Sequence, residues 1–112
     1  MEQSIFEKIL VGEISSEIIY EDDFVFAIND LNPVARIHIL VIPKKRIDTL
    51  NQINEEDTTL LGHMLLVAKN LAKEQKIDDT GYRILMNTNS DAGQTVYHIH
   101  LHLIGGEELK GI

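Results

Sequence analysis

The sequence of 112 residues contains no cysteine. The chain therefore has no disulfide framework, no thiolate metal site and no cysteine nucleophile. This absence is typical of proteins in a reducing compartment, so we expect a cytoplasmic location. The N-terminal segment MEQSIFEKIL carries acidic residues and one short apolar stretch, which does not fit a signal peptide.

Basic residues are scarce: 10 Lys and Arg stand against 18 Asp and Glu, and the formal net charge is −8. Binding along a nucleic acid backbone needs a basic face, so we expect no nucleic acid partner. No apolar run approaches the roughly 20 residues of a membrane helix, so we expect no membrane partner. A pocket for one small phosphate group is still compatible with this charge, because a few imidazoles and N–H donors suffice.

Length and apolar content predict one globular domain over residues 1–112, since 44% of the residues are hydrophobic. Ser4 and Glu7 form a capping-box pattern ahead of a short helix, with Gly12 near its end. Apolar, β-branched segments predict five strands, at 17–20, 24–30, 37–43, 82–87 and 97–104. Together with helical periodicity over 54–76, this order indicates an α+β fold with a mainly antiparallel five-stranded sheet, one long helix and one short helix.

The predicted long helix has an unusually wide apolar face. Its apolar residues cover an arc of about 160°, whereas one buried face usually needs an arc nearer 100°. Leu66 lies outside even this arc. Either the helix is deeply packed against its own sheet, or part of it meets a second subunit. We slightly favour the second alternative and expect a homodimer.

Three histidines alternate along the last predicted strand, and a fourth lies in the strand at 37–43: His98, His100 and His102, and His38. Because side chains alternate across a strand, the three share one face while the intervening apolar residues face the core. Neighbouring imidazoles are then about 6.7 Å apart, so the three cannot all contact one phosphate group. His100 is the central residue, and His38 is the obvious helper.

Imidazole suits phosphoryl chemistry near neutral pH. With a pKa near 6.5, it acts either as a neutral nucleophile or as a charged phosphate partner. A nucleophilic histidine presents one ring nitrogen while the other donates a hydrogen bond, which a backbone carbonyl of the same strand can accept. The preceding loop, Gly93-Gln94-Thr95, offers backbone N–H groups and a hydroxyl that can pass a proton to a leaving group.

Zinc binding is the main rival interpretation of the histidines. His-x-His on a strand, with a third imidazole from a neighbour, can hold this metal. No carboxylate or thiolate is obviously placed with them, so we expect no metal and no other cofactor.

Three other polar residues have their own interpretations. Asn87 either starts a loop or donates to a phosphate. Asp30 either initiates the turn before Pro33 or holds sugar hydroxyls, as carboxylates near ribose do. His63, on the long helix, is expected to be an ordinary surface histidine.

The segment GQTVYHIHLHLIGG resembles the H-φ-H-φ-H-φ-φ signature of histidine triad (HIT) nucleotide-binding proteins. The resemblance extends over nearly the whole chain, through SIFEKI, IIYEDD, HILVIPKK, LLGHM and GYRILMN, and is to the Hint branch. The fragile-histidine-triad branch generally continues its histidine strand with a Leu-Pro-Arg type segment, whereas this chain has Ile104-Gly105-Gly106.

The resemblance implies a homodimer that hydrolyses the P–N bond of purine nucleoside phosphoramidates such as adenosine 5′-monophosphoramidate. In that scheme His100 becomes nucleotidylated, His102 and His38 surround the phosphate, and His98 supports the network. The resemblance also implies phosphate-side contacts by Asn87, Gly93, Gln94 and Thr95, ribose contacts by Asp30 and Leu31, and an apolar slot for the base formed by Ile5, Phe6, Ile9 and Ile28.

Two other functions are compatible with the same residues. One is a nucleotide-binding or scaffold protein with incidental turnover. The other is dinucleoside polyphosphate hydrolysis or nucleotidyl transfer, as in sister branches, against which the Hint-like flanks argue. The chain also departs from the branch in places: Thr95 stands where serine is frequent, and Arg46 stands where histidine is common.

Overall fold

The elements of the fold follow the predicted order. The structure, a computed structural model, describes residues 2–112. These residues form two α-helices and five strands: α1 (Ile5–Leu10), β1 (Ile18–Glu21), β2 (Val25–Asn29), β3 (Ile37–Pro43), α2 (Thr58–Glu74), β4 (Tyr82–Leu85) and β5 (Leu101–Gly105). The predicted α+β class, with one long and one short helix, is confirmed. Within the described residues, no helix is long and apolar enough to cross a membrane.

The five strands form one sheet in the order β1-β2-β3-β5-β4, and every neighbouring pair is antiparallel. β5 is inserted between β3 and β4, so the last strand of the chain lies inside the sheet. Alternate residues of β2 and β3 enter two different apolar clusters, one with α2 and one with α1. The sheet is therefore covered on both faces. Each side chain of a strand, including each histidine, faces either the α1 side or the α2 side.

Helix α1 begins at the predicted cap. The Ser4 hydroxyl accepts a hydrogen bond from the Glu7 backbone N–H, and the Glu7 carboxylate accepts one from the Ser4 N–H. Phe6 and Ile9 of this helix are buried against Phe26, Ile28 and other residues of the sheet. With only six residues, α1 depends on this packing, because an isolated helix of that length is not stable in water.

Helix α2 begins later than predicted. Residues Glu55–Asp57 form a separate turn of 3₁₀ helix, and the α-helix starts only at Thr58. The Asp57 carboxylate accepts hydrogen bonds from the Asn54 backbone N–H (3.0 Å) and from Lys45 Nζ (2.6 Å). These bonds hold residues 54–57 against the segment after β3. The helical sequence pattern therefore begins a few residues before the α-helix.

One face of α2 packs on its own sheet. Five of its residues are buried: Met64, Val67, Ala68, Leu71 and Ala72. Leu65 and Leu66 are 50% and 55% exposed, although Leu65 belongs to the predicted apolar arc. The sheet alone therefore leaves part of the apolar surface of α2 uncovered, and the homodimer stays a prediction.

His63 is not an ordinary surface histidine, contrary to the prediction. Its Nε2 lies 2.6 Å from Oδ2 of Asp22, at the turn between β1 and β2. Asp22 also accepts hydrogen bonds from Phe24 N (2.8 Å), Val25 N (2.9 Å) and Tyr20 Oη (2.8 Å). Burial acts to raise the pKa of Asp22, but the four hydrogen bonds outweigh it and hold this pKa far below its usual range.

We therefore predict that Asp22→Asn lowers the free energy of unfolding by about 1–3 kcal/mol at pH 7, because it weakens a shared hydrogen-bond acceptor. The folded pKa of Asp22 is depressed, so its ionic contribution is present above the unfolded pKa of about 4. This contribution is lost as the pH falls through the folded value. Urea unfolding at fixed protein concentration measures the effect. A difference between wild type and variant that is equal at pH 7 and at about pH 2 would contradict the prediction.

Candidate active site

A cavity of about 310 Å³ opens between α1, the loop after β2 and the loop between β4 and β5. All the residues predicted to contact a nucleotide line it: Ile5, Phe6, Ile9, Ile28, Asp30, Leu31, Asn87, Gly93, Gln94, Thr95, His100 and His102. The wall formed by α1 and β2 is apolar, and the opposite loops supply polar groups. The cavity thus combines an apolar wall with imidazoles and a hydroxyl.

The cavity wall also contains residues that the sequence patterns did not indicate. Ile14, Ser15 and Ser16 reach it from the segment after α1, and Leu40 and Val96 complete the apolar side. No motif identifies them, because their place depends on how α1 and its following segment lie on the sheet. His38 and His98, which are also predicted catalytic residues, do not line the cavity and lie behind it.

His98 is enclosed by protein on both sides of its ring. Its Nε2 lies 2.7 Å from the Pro43 carbonyl oxygen, and its Nδ1 lies 2.7 Å from the Ser4 hydroxyl. A carbonyl only accepts hydrogen bonds, so Nε2 carries the hydrogen and Nδ1 accepts the Ser4 hydrogen. Burial lowers the pKa of His98, which keeps the ring neutral.

His100 presents a free ring nitrogen. Its Nδ1 lies 2.8 Å from the backbone carbonyl oxygen of His98, so Nδ1 carries the hydrogen. The lone pair is therefore on Nε2, which has no hydrogen-bond partner among residues 2–112. Burial lowers the pKa of His100 despite this hydrogen bond. The ring edge packs on Phe6, with the ring centroids 5.0 Å apart.

His102 presents an N–H to the cavity, whereas His100 presents a lone pair. The Val34 backbone N–H donates to Nδ1 of His38 (3.1 Å), so Nε2 of His38 carries the hydrogen. That nitrogen lies 2.8 Å from Nδ1 of His102, which must accept, and Nε2 of His102 therefore carries a hydrogen. Burial, reinforced by His100 and His38, lowers the pKa of His102 to about 4. The cavity wall therefore carries a lone pair of His100 beside an N–H of His102.

The histidine segment is less regular than a full strand. β5 begins at Leu101 rather than at Tyr97, because Ile99 N donates to the Ile47 carbonyl (2.8 Å) outside the sheet. The ring centroids of His100 and His102 are 5.0 Å apart, with planes tilted by 54°. The predicted regular spacing is therefore wrong here, although the intervening Ile99 and Leu101 do face the core as expected.

The loop before the histidines is held mainly by Gln94. Its side chain donates to the carbonyls of Asp48 (2.7 Å) and Val96 (3.1 Å) and accepts from Asn89 N (2.8 Å). The N–H groups of Gly93 and Gln94 donate within the turn, to Ser90 and Asn89 carbonyls. They are not free as predicted, because the turn closes on itself with Gly93 at a φ of 83°. The Thr95 hydroxyl has no hydrogen-bond partner among residues 2–112.

Asp30 initiates the turn, as one of its two interpretations predicted, and its contact with sugar hydroxyls stays a prediction. Its Oδ1 accepts from Asn32 N (2.8 Å), which initiates the turn, and its Oδ2 lies 3.4 Å from Nε2 of His38. The expectation that no carboxylate lies with the histidines is wrong, because Asp30 N pairs with the His38 carbonyl across β2 and β3.

Asp30, His38 and His102 each offer one possible metal ligand, and these atoms lie within 4.8 Å of one another. The nitrogens of His38 and His102 are only 2.8 Å apart. Two nitrogens on one tetrahedral zinc would be about 3.3 Å apart. The observed spacing is that of a shared hydrogen, so a metal would have to open this pair.

The fold and the histidine cluster together define a class of protein. Residues 11–109 match the family model described as the HIT domain, and the chain belongs to this family. The predicted family resemblance is therefore confirmed.

Particular relatives resemble nearly all of this chain. It is 48% identical over 108 residues to the purine nucleoside phosphoramidase of Escherichia coli strain K12, covering 96% of this chain and 91% of that protein. An uncharacterized HIT-like protein of Buchnera aphidicola is 48% identical over 110 residues, or 98% of each chain. The crystal structure of a HIT family hydrolase from Legionella pneumophila superposes with a TM-score of 0.94 at 44% identity, covering 96% of each chain.

The direction of the His102 pKa shift makes a prediction for the free protein. A lowered pKa means that the neutral ring persists below the usual value of about 6.5, and protonation is complete only at lower pH. We expect the ring resonances of His102 to titrate near pH 4 in an NMR titration, assigned with His102→Gln. A midpoint above pH 6 would contradict the lowered pKa and show that burial does not dominate at this ring.

Proposed function

We propose that this protein hydrolyses the P–N bond of purine nucleoside 5′-phosphoramidates, such as adenosine 5′-monophosphoramidate. The observation that carries this proposal is the orientation of His100, whose Nδ1 is bonded while its Nε2 is free beside the cavity. That is the arrangement of a neutral nitrogen nucleophile. The relative from Escherichia coli, called a purine nucleoside phosphoramidase, supports this choice of substrate.

Each part of the substrate contacts the part of the cavity wall that matches its chemistry. Ile5, Phe6, Ile9 and Ile28 are proposed to hold the base, because an aromatic base fits an apolar wall. Asp30, with Leu31 beside it, faces the ribose hydroxyls. Asn87 and the Thr95 hydroxyl contact the phosphate together with the N–H of His102, while Gly93 and Gln94 shape the loop around it.

The proposed reaction has two displacement steps at phosphorus. In the first, Nε2 of His100 forms a bond to phosphorus and the P–N bond breaks, while the Thr95 hydroxyl gives its proton to the departing amine and takes one from solvent in return. In the second, the oxygen of a water molecule bonds to phosphorus, the bond to His100 breaks, and one proton of that water returns to solvent. The net change consumes one water and releases an amine and a nucleoside monophosphate.

In the proposed scheme, four histidines have separate roles and no metal takes part. His100 is the nucleophile, and His102 donates to the phosphate oxygens. His38 sets which nitrogen of His102 carries the hydrogen, and His98 supports His100 through its carbonyl. We further propose that this single domain acts in the cytoplasm on a free nucleotide, with no nucleic acid or membrane partner.

The uncovered apolar surface on α2 supports a homodimer. Leu65 and Leu66 are consecutive residues of this helix and remain half exposed. Exposed apolar side chains that together form a patch are typical of an interface. We therefore propose that α2 contributes to contact between two copies of the chain.

Replacing His100 tests the covalent route directly. His100→Gly removes the nucleophile, so we expect kcat for adenosine phosphoramidate to fall roughly a thousandfold or more. AMP should still bind, since most of the cavity wall is unchanged. Mass spectrometry of wild type quenched during turnover should find a nucleotidyl group on His100 and none on the variant.

His63→Gln is the matched control, because His63 lies outside the cavity and should be dispensable for turnover. All proteins are assayed with and without EDTA, and the proposed route expects equal rates. Turnover by His100→Gly near the wild-type rate would overturn the mechanism.

A charge on α2 tests the homodimer. We expect wild type to sediment as a dimer at micromolar concentration and Leu66→Glu to sediment as a monomer of 12.7 kDa, because a carboxylate is costly to bury in an apolar interface. Val11→Glu places the same charge on an exposed apolar residue away from α2 and should remain dimeric. Wild type that sediments as a monomer at high concentration would refute the proposal.

A further inference from the structure

A buried hydrogen bond joins the two ends of the chain behind the cavity. The Ser4 hydroxyl lies 2.7 Å from Nδ1 of His98, 94 residues away in sequence. Ser4 is 7% exposed and His98 is 1% exposed. Ser4 does not line the cavity, so it has no direct access to a substrate there.

The Ser4 hydroxyl makes two hydrogen bonds, one as acceptor and one as donor. Its oxygen accepts the Glu7 N–H at the start of α1 (3.1 Å). Its hydrogen goes to Nδ1 of His98, because the Pro43 carbonyl already takes the hydrogen on Nε2. Serine at this position therefore does more than cap a helix, for which aspartate or asparagine would serve as well.

The contact matters because residues 97–100 lie outside the sheet. β5 begins at Leu101, so no ladder of hydrogen bonds holds the backbone of His98. Its position depends on the bond from Ile99 N to the Ile47 carbonyl and on the two bonds of its own ring. The carbonyl of this residue is the acceptor for Nδ1–H of His100. A displacement of the His98 backbone would therefore move the hydrogen-bond acceptor of the His100 ring and change the orientation of that ring.

Helix α1 is itself fastened to the histidine segment by Arg46. One nitrogen of its guanidinium donates to the Glu2 carbonyl (2.6 Å) and to the Glu7 carboxylate (3.1 Å). Another donates to the Tyr97 carbonyl (3.2 Å), next to His98. Arg46 thus ties α1 to the backbone next to His98, which gives the histidine segment a second attachment to this helix besides Ser4.

We propose that Ser4 is a positioning residue for His100: its hydroxyl holds the His98 ring against the Pro43 carbonyl, and so places the His98 carbonyl that orients His100. The catalytic consequence rests on the proposed function of His100 as nucleophile. The positioning itself is a property of the free protein and is tested without substrate.

The first readout is the tautomer of each histidine, obtained from two-bond ¹H–¹⁵N NMR spectra of the free protein at pH 7. Wild type should show His98 with its hydrogen on Nε2 and His100 with its hydrogen on Nδ1. In Ser4→Ala we expect His100 to lose its pure Nδ1–H state and to show a mixture of tautomers. Ser4→Thr keeps the hydroxyl and should restore the wild-type spectrum. An unchanged His100 tautomer in Ser4→Ala would overturn the proposal, whatever the enzyme's activity.

Turnover of adenosine phosphoramidate is the second readout. We expect Ser4→Ala to lower kcat about tenfold with less than a twofold change in KM, since leaving a buried acceptor unpaired misplaces the nucleophile rather than the substrate. Ile9→Ala, which removes part of the apolar wall and of the packing of α1 but leaves the Ser4 hydroxyl in place, should instead mainly raise KM. A Ser4→Ala variant that raises KM and leaves kcat unchanged would show that Ser4 acts only by capping α1, and would refute the proposal.

Ser4→Gly guards against loss of the helix itself. Glycine is accepted at the N-cap of a helix at little cost, and it brings no side-chain donor for Nδ1 of His98 and no charge that would protonate this ring. We expect it to keep the circular dichroism of wild type and to show the same mixture of His100 tautomers as Ser4→Ala. A Ser4→Gly protein with the wild-type tautomers and kcat would overturn the proposal.

Discussion

The geometry of the cavity depends on the register in which β3 pairs with β5. Leu40 lies opposite His102, and His38 lies opposite Ile104, so the two histidines are diagonal neighbours on one face. A diagonal of about 7 Å is within reach of two imidazole rings, which meet here through a single hydrogen. A shift of one residue would turn His102 into the cluster packed by α2 and bring an apolar side chain to the cavity. The apolar layers on both faces of the sheet oppose that shift.

Burial of the histidines determines what their nitrogens can do. Acidic neighbours favour the protonated imidazoles: Glu7 acts on His98, and Asp30 acts on His100 and His102. Removal from water has the larger effect, and it lowers the pKa values of His98, His100 and His102. Each ring is then neutral, with one donor and one acceptor in fixed positions. Among the described residues, no buried side-chain nitrogen or oxygen lacks a partner, so this polar cluster is compatible with a packed core.

The parts of this fold that could be predicted from the sequence are those in which neighbours in the chain determine the outcome. The capping box at Ser4 and Glu7, the alternation through β5 and the period of α2 are all local patterns. The family signature extended the prediction to the residues around the cavity. The contacts that were missed join distant segments, such as Ser4 with His98 and Asp22 with His63. Neither pair has a spacing that a pattern can detect, because a folded sheet brings them together.

The place of β5 inside the sheet has a consequence for how the protein is made. β3 and β4 have no hydrogen-bonded contact with each other except through β5, which is the last element of the chain. A nascent chain on the ribosome therefore lacks the strand between β3 and β4, and α1 has no His98 to hold, until residues 98–105 have emerged. Contacts between residues so far apart in sequence also form late and slowly during folding. The cavity is thus complete only after β5 has joined the sheet, and a chain cut before Leu101 would lack both this strand and the His102 side chain of the cavity wall.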